Sequence, residues 1–127
     1  MFYFYLCLYK CSAARNSQIF GTEGLKMYSV VLDSVCKSYP NGAEPLVILD
    51  NASYQFETGK FYSVVGRSGL GKTTLVSIIG TVEKADSGSV IVCDHNLSDV
   101  NQKQITEIRK KHIGFVFQNF SLIERYS

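Results

Sequence analysis

From Met27 onward, apolar residues come in short bursts, and each burst is closed by turn-forming residues. "YSVVLDSV" alternates loosely and reads as a strand. The "SYPNGAEP" that follows is a loop, because Pro40 fixes φ while Asn41 and Gly42 tolerate reversed values. "LVILDNASYQF" supplies one or two further strands, with Asn51 and Ala52 as a turn or bulge between them. "ETGK" is a turn with Gly59 at the position that accepts positive φ. "FYSVV", Phe61 to Val65, is aromatic and β-branched and predicts a strand leading directly into a glycine-rich loop. Past the loop, "TTLVSIIG" sets Leu75, Ile78 and Ile79 on one helical face, with Gly80 as the C-terminal cap. "ADSGS" is a turn, "VIVC" a strand and "DHNLS" another turn. "DVNQKQITEIRKK" predicts a helix starting near Ser98 or Asp99, with Val100, Ile105 and Ile108 apolar and Arg109 to Lys111 at its negative end. "IGFVFQ" then reads as a buried strand. Strands alternating with helices in this order indicate an α/β fold, and the sequence holds no internal repeat.

Composition narrows the class without deciding it. An apolar content of 46% over 127 residues suffices for one packed core and excludes a disordered chain. The net charge of +2 is too small to argue for nucleic acid as a partner. It also belongs to the first 26 residues, where Lys10, Arg15 and Lys26 face only Glu23. The opening apolar run, Met1 to Tyr9, is about half the ~20 residues that span a bilayer. No positive residue precedes it, as a secretory signal requires, although "CSAAR" offers small residues at a cleavage position. Residues 1–26 are therefore expected to be an appendage, such as an upstream stretch translated from a mis-set start, and residues 27–127 to form the domain. Cys7, Cys11, Cys36 and Cys93 show no C-x-x-C pairing, so neither a zinc site nor a redox pair is suggested, and the expectation is buried or idle thiols in a reducing compartment.

Gly66 to Thr73, "GRSGLGKT", fits G-x-x-x-x-G-K-[ST] without a mismatch, between a predicted strand and a predicted helix. The chemistry follows from the residue types. Gly66, Gly69 and Gly71 let the backbone turn tightly, so that successive N–H groups converge on an anion at the positive end of the next helix. Lys72 reaches the β- and γ-phosphates, and the Thr73 hydroxyl ligates Mg²⁺. Contacts to nucleotide are expected along Gly66, Arg67, Ser68, Gly69, Leu70, Gly71, Lys72, Thr73 and Thr74. Within that stretch Arg67 and Leu70 occupy variable, exposed positions, and Thr74 serves the helix. The bland alternative is a glycine-rich hairpin carrying an exposed lysine. The motif names a nucleotide and leaves the task open, since kinases, GTPases, helicases and transport ATPases all use it.

Three further stretches resemble the N-terminal half of the ATPase domain of ATP-binding cassette (ABC) transporters. "KSYPNG" places Tyr39 where that family has an aromatic residue stacked on adenine, a flat apolar face that suits a base. The tract from "VLDSVCKSYP" through the loop to "GTVEKADSGSVIV" is similar to the family's early β subdomain and P-loop. "RKKHIGFVFQNFSLIERYS" is similar to its Q-loop, with Gln118 at the glutamine position. An amide there can accept from and donate to water without adding charge beside a phosphate. The likeness runs over Met27 to Tyr126, and "IGFVFQNFSLI" is closest in style to the branch exporting lipoproteins, macrolides and bacteriocins. Two departures stand out: Leu70 at a loop position usually small, and Cys93-Asp94 where relatives have an acidic-glycine turn.

The resemblance implies a P-loop NTPase fold of ABC type, present in part: the β subdomain, the P-loop strand and helix, and the chain through the Q-loop. It implies ATP and Mg²⁺ as ligands, Lys72 and Gln118 as catalytic residues, and Thr73 and Gln118 at the metal. It further implies a transmembrane permease partner, a second ATPase domain in a head-to-tail dimer, and a cytoplasmic position on the inner face of the membrane. The family's signature sequence, its Mg²⁺-binding aspartate with the adjacent glutamate, and its switch histidine would stand beyond residue 127; His95 and His112 come too early for the last. The chain thus reads as a fragment expected not to hydrolyse ATP alone. The alternative is a non-catalytic nucleotide-binding or regulatory piece that docks on a transporter subunit. Another P-loop enzyme, such as a small-molecule kinase, leaves Tyr39 and Gln118 unexplained.

Overall fold

The computed structural model describes residues 27–115 in full, with the backbone of Val116 and of the strand Tyr5–Leu8. In chain order the elements are β1 (Tyr5–Leu8), β2 (Tyr28–Tyr39), β3 (Leu46–Glu57), α1 (Lys72–Ile79), β4 (Ser87–Val92), β5 (His95–Asn96), α2 (Gln102–His112) and β6 (Ile113–Val116). A four-stranded antiparallel sheet runs in the order β3-β2-β4-β5, and β6 pairs antiparallel with β1 from Leu8↔Ile113 to Tyr5↔Val116.

The loose alternation of β2 has a definite cause. Val30 and Leu32 point into the core, but the next core residue is Val35, an odd step that strict period two forbids. Ser34 sits at φ 51, and the register against both β3 and β4 shifts across this point. This bulge moves the following side chains to the opposite parity, so that Val35, Lys37 and Tyr39 share the inner face. Asn51, at φ 48, makes a second bulge within β3, which is therefore one twelve-residue strand.

The core lies between this sheet and α1. Val30, Leu32, Val35, Val90 and Val92 from the sheet meet Ile78 and Ile79 of α1 and Ile108 of α2. Burying a side chain such as Ile78 is worth about 1.5–3 kcal/mol. Gly80 closes α1, as its position suggests, but for a packing reason. Its φ is −71, and an added Cβ would stand 2.7 Å from the Phe115 ring of β6. The positive φ falls on Thr81, whose carbonyl and hydroxyl both accept from Arg109, tying α2 to the end of α1.

Helix α2 begins at Gln102, three residues past Asp99 and four past Ser98. Asn101 caps it through a reciprocal pair, Gln104 N–H to Asn101 Oδ1 at 3.0 Å and Asn101 N–H to Gln104 Oε1 at 2.8 Å. Such a box satisfies two orphan donors together and prevails over an earlier start. A larger departure concerns Phe61 to Val65, the expected P-loop strand. The segment is extended in the sense that Tyr62 and Val64 are half-buried while Phe61 and Val65 are exposed, yet it belongs to no sheet among the described residues. A strand needs a ladder as well as β-branched residues, and the described strands pair elsewhere.

The hairpin β4–β5 turns at Cys93 and Asp94, with φ 46 and 64. Two consecutive positive values match the hairpin's right-handed twist and strongly favour Asn-Gly or Asp-Gly. Cys93 is buried, as expected, but it is disulfide-bonded where a thiol was expected, while Cys36 is a free thiol. The turn supplies the first test. Asp94→Gly removes one left-handed penalty and should stabilise the chain by about 1 kcal/mol, read as a higher urea midpoint at unchanged slope.

Candidate functional site

The glycine-rich loop joins the extended segment 61–65 to α1 and folds around the first turn of that helix. Gly71 is the N-cap, at φ 73, and Gly69 lies at φ 82. A glycine cap offers no side-chain acceptor, and no acidic residue stands in the first turn. The helix thus begins with donor N–H groups that no side chain occupies, which is the electrostatic requirement for holding an anion. Ser68, Gly69, Gly71, Lys72, Thr73 and Thr74 line a cavity of about 310 Å³ together with Ile48 of β3.

Gly71 has a second constraint. A Cβ there would fall 2.5 Å from Ile48 Cγ2 and 3.0 Å from the Ile48 carbonyl oxygen. The sheet therefore presses directly on the loop's last glycine and sets how far the loop stands from β3. Lys72 donates from its ammonium to the Arg67 carbonyl, so the cation bridges the loop. The Leu70 side chain, mostly exposed, reaches back to within ordinary contact of the Gly66 position. Thr73 is exposed at the cavity, and Thr74, which also lines it, brings its hydroxyl to 3.5 Å from the Tyr39 hydroxyl at the end of β2.

Tyr39 ends β2 and comes to the same helix. Its hydroxyl lies 3.5 Å from Thr74 Oγ1 and donates to Glu83 Oε1 at 2.6 Å. The Glu83 carboxylate holds the Tyr39 phenol above its ordinary value. Around this contact stands a charged cluster. Lys37 Nζ lies 2.9 Å from Asp86 Oδ1, 3.5 Å from Glu83 Oε1 and 5.4 Å from the centre of the Tyr39 ring. Asp86 also accepts from the Ser38 N–H at 2.8 Å. That amide, then the Lys37 ammonium, keeps its carboxyl below the ordinary 3.8, while the Asp86 hydrogen bond pushes Lys37 up. The structure thus unites Tyr39 with the loop-bearing helix, across 35 residues of sequence. Gln118 lies outside the described residues.

Residues 49–127 match the family model described as "ABC transporter". The chain belongs to the ABC transporter family. Among curated relatives of this ABC protein is the lipoprotein-releasing system ATP-binding protein LolD of Treponema denticola, 35% identical over 98 residues. That match covers 77% of this chain and 43% of LolD. The ABC transporter ATP-binding protein MJ0796 of Methanocaldococcus jannaschii is 38% identical over 94 residues, covering 74% of this chain and 40% of that one. The macrolide export ATP-binding/permease protein MacB of Salmonella choleraesuis is 36% identical over 92 residues, 72% of this chain and 14% of MacB. The chain spans less than half the length of each of these relatives. The dimeric structure of MJ0796, a bacterial ABC transporter cassette, superposes with a TM-score of 0.72 at 37% identity, covering 77% of this chain and 42% of that one. The fold is thus that of part of an ABC-type P-loop ATPase domain, and the likeness to the lipoprotein- and macrolide-export branch holds.

Two groups at the ABC site carry no motif signal. Ile48 lies in a strand that reads as ordinary core, and only the clash at Gly71 reveals its role. Glu83 and Asp86 sit in a turn, and their partners Lys37, Ser38 and Tyr39 are too distant in sequence to mark them.

The geometry gives two expected outcomes. Gly71→Ala forces a left-handed alanine, costing about 1–2 kcal/mol before the Ile48 clash; trimming Ile48 to Ala in the same chain should recover part of the lost urea stability. Asp86, whose folded value is depressed, supplies stability that is complete above its unfolded value and lost as pH falls through the folded one. The stability difference between the parent chain and Asp86→Asn should hold steady at neutral pH and shrink below about pH 4, as followed by denaturant titration at each pH.

Proposed function

We propose that this ABC chain is the nucleotide-binding portion of an ATP-driven exporter, in which the loop Gly66 to Thr73 holds the triphosphate of ATP and Tyr39 stacks on adenine. The observation that carries the reading is the open first turn of α1, with a glycine cap, no acidic neighbour and Lys72 in the same loop. The Thr73 hydroxyl and the Gln118 amide would hold Mg²⁺, which when bound neutralises phosphate charge. Arg67, Ser68, Gly69, Leu70 and Thr74 contribute through backbone amides and position, and Lys72 exchanges the Arg67 carbonyl for phosphate oxygens.

Export through a membrane permease, and pairing with a second ATPase domain head to tail, are read from the relatives, whose names include lipoprotein release and macrolide export. Among the described residues no helix is long and apolar enough to cross a membrane, so a permease subunit would supply the path and hold this subunit at the inner membrane face. Hydrolysis needs a group that positions and deprotonates water. Among the described residues no carboxylate lines the cavity beside Lys72, so the loop binds and neutralises phosphate while offering no general base. On this reading the 127-residue chain binds Mg-ATP weakly and releases no phosphate.

Calorimetric titration with Mg-ATP tests it. Lys72→Ala, removing a charge-assisted contact worth about 1.5–3 kcal/mol, should weaken binding tenfold or more. Unchanged affinity in that variant, or ordinary turnover by the parent chain in a phosphate-release assay, would falsify the respective half of the proposal.

A further inference from the structure

A base-stacking ring is useful only if it is held at a fixed angle, since stacking falls off when the ring swings about its χ1 and χ2 bonds. Tyr39 is the last residue of β2 and is followed by a loop with Pro40 and Gly42, so the backbone beyond it gives little support. What restrains the ring lies at its far end. The hydroxyl donates to Glu83 Oε1 at 2.6 Å, a short bond to an ionised acceptor, and stands 3.5 Å from Thr74 Oγ1. The cluster behind it is itself braced. Lys37 Nζ donates to the Lys84 carbonyl at 3.0 Å and to Asp86 at 2.9 Å, and lies over the tyrosine ring. Asp86 in turn binds the Ser38 N–H and hydroxyl, at 2.8 and 3.1 Å. With the ammonium on one face, a stacking base is confined to the other.

We infer that Glu83 is a positioning residue for nucleotide recognition, fixing the Tyr39 ring through its hydroxyl so that the strand end and the loop-bearing helix present base and phosphate sites at a set separation. The inference rests on the reading of Tyr39 as the base platform and adds the group that aims it. Glu83 touches no ligand in this scheme. Its carboxylate links the turn after α1 to the end of β2, so the ring and the phosphate loop are referred to one helix.

The full chain is titrated with Mg-ATP and, separately, with Mg-tripolyphosphate, which has the phosphates and no base. Glu83→Ala should weaken ATP binding about fivefold, less than the loss of a direct charge-assisted contact because Glu83 acts only through the Tyr39 ring, and leave tripolyphosphate binding unchanged. Glu83→Gln, which still offers an acceptor, should recover most of the loss. Tyr39→Phe should weaken ATP to a similar degree, with no further loss in the double variant. Ring signals of Tyr39 in NMR give a reading that needs no ligand: its phenol should titrate at lower pH in Glu83→Ala than in the parent chain. Equal loss for both ligands, unchanged ATP affinity or an unmoved phenol titration overturns the inference and leaves the phosphate site standing. Failure of the parent chain to bind ATP while it binds tripolyphosphate removes the base platform itself, and Glu83 with it.

Discussion

The contact between Ile48 and Gly71 is the constraint on which the rest of the site depends. A β-sheet and a phosphate-type loop meet there at backbone distance, and only a residue without a side chain, able to take φ 73, can stand at the meeting point. Gly71 satisfies both demands at once. Because it is also the N-cap of α1, its placement fixes where the helix begins and therefore where the first-turn N–H groups point. The sheet does more than bury Val30 and Val92; it is the ruler against which the loop is set.

A second tie runs in the opposite direction. Whereas Ile48 pushes on the loop from β3, the Lys37–Asp86–Glu83 cluster pulls the end of β2 toward the turn that follows α1. Its members are partly exposed, so their value lies in geometry more than in net stability. One steric stop and one polar anchor define the angle between Tyr39 and the loop with few residues. The core beneath them, centred on Ile78, keeps α1 from rocking between the two.

The loop and its helix were legible because their rules are local. Glycine, lysine and threonine at fixed spacing dictate a turn, and Leu75, Ile78 and Ile79 repeat on one helical face. Tyr39 could be singled out only through family likeness, since a tyrosine in a loop has many uses. The bulge at Ser34 was hidden because a parity change looks like poor alternation until the partner strands are in place. Phe61 to Val65 shows the opposite failure, a strand-like composition with no sheet ladder among the described residues. The start of α2 was missed because Asp99 and Asn101 are both good caps, and the choice fell to Gln104, whose amide completes the box at Asn101. Glu83 had no local signal, since its partner stands 44 residues away.

The kink at Asn51 has a consequence outside the site. Among the described residues β3 is an outer strand of twelve residues, and it shows Leu46, Val47 and Tyr54 to solvent. A flat ribbon of that length would template a foreign chain along its open hydrogen-bonding groups. The left-handed residue in its middle breaks the ribbon into two shorter, differently inclined halves, so that a would-be neighbour in register with one half runs out of register with the other. The irregularity at Asn51 thus leaves β3 a poorer template for another chain than its composition alone would make it.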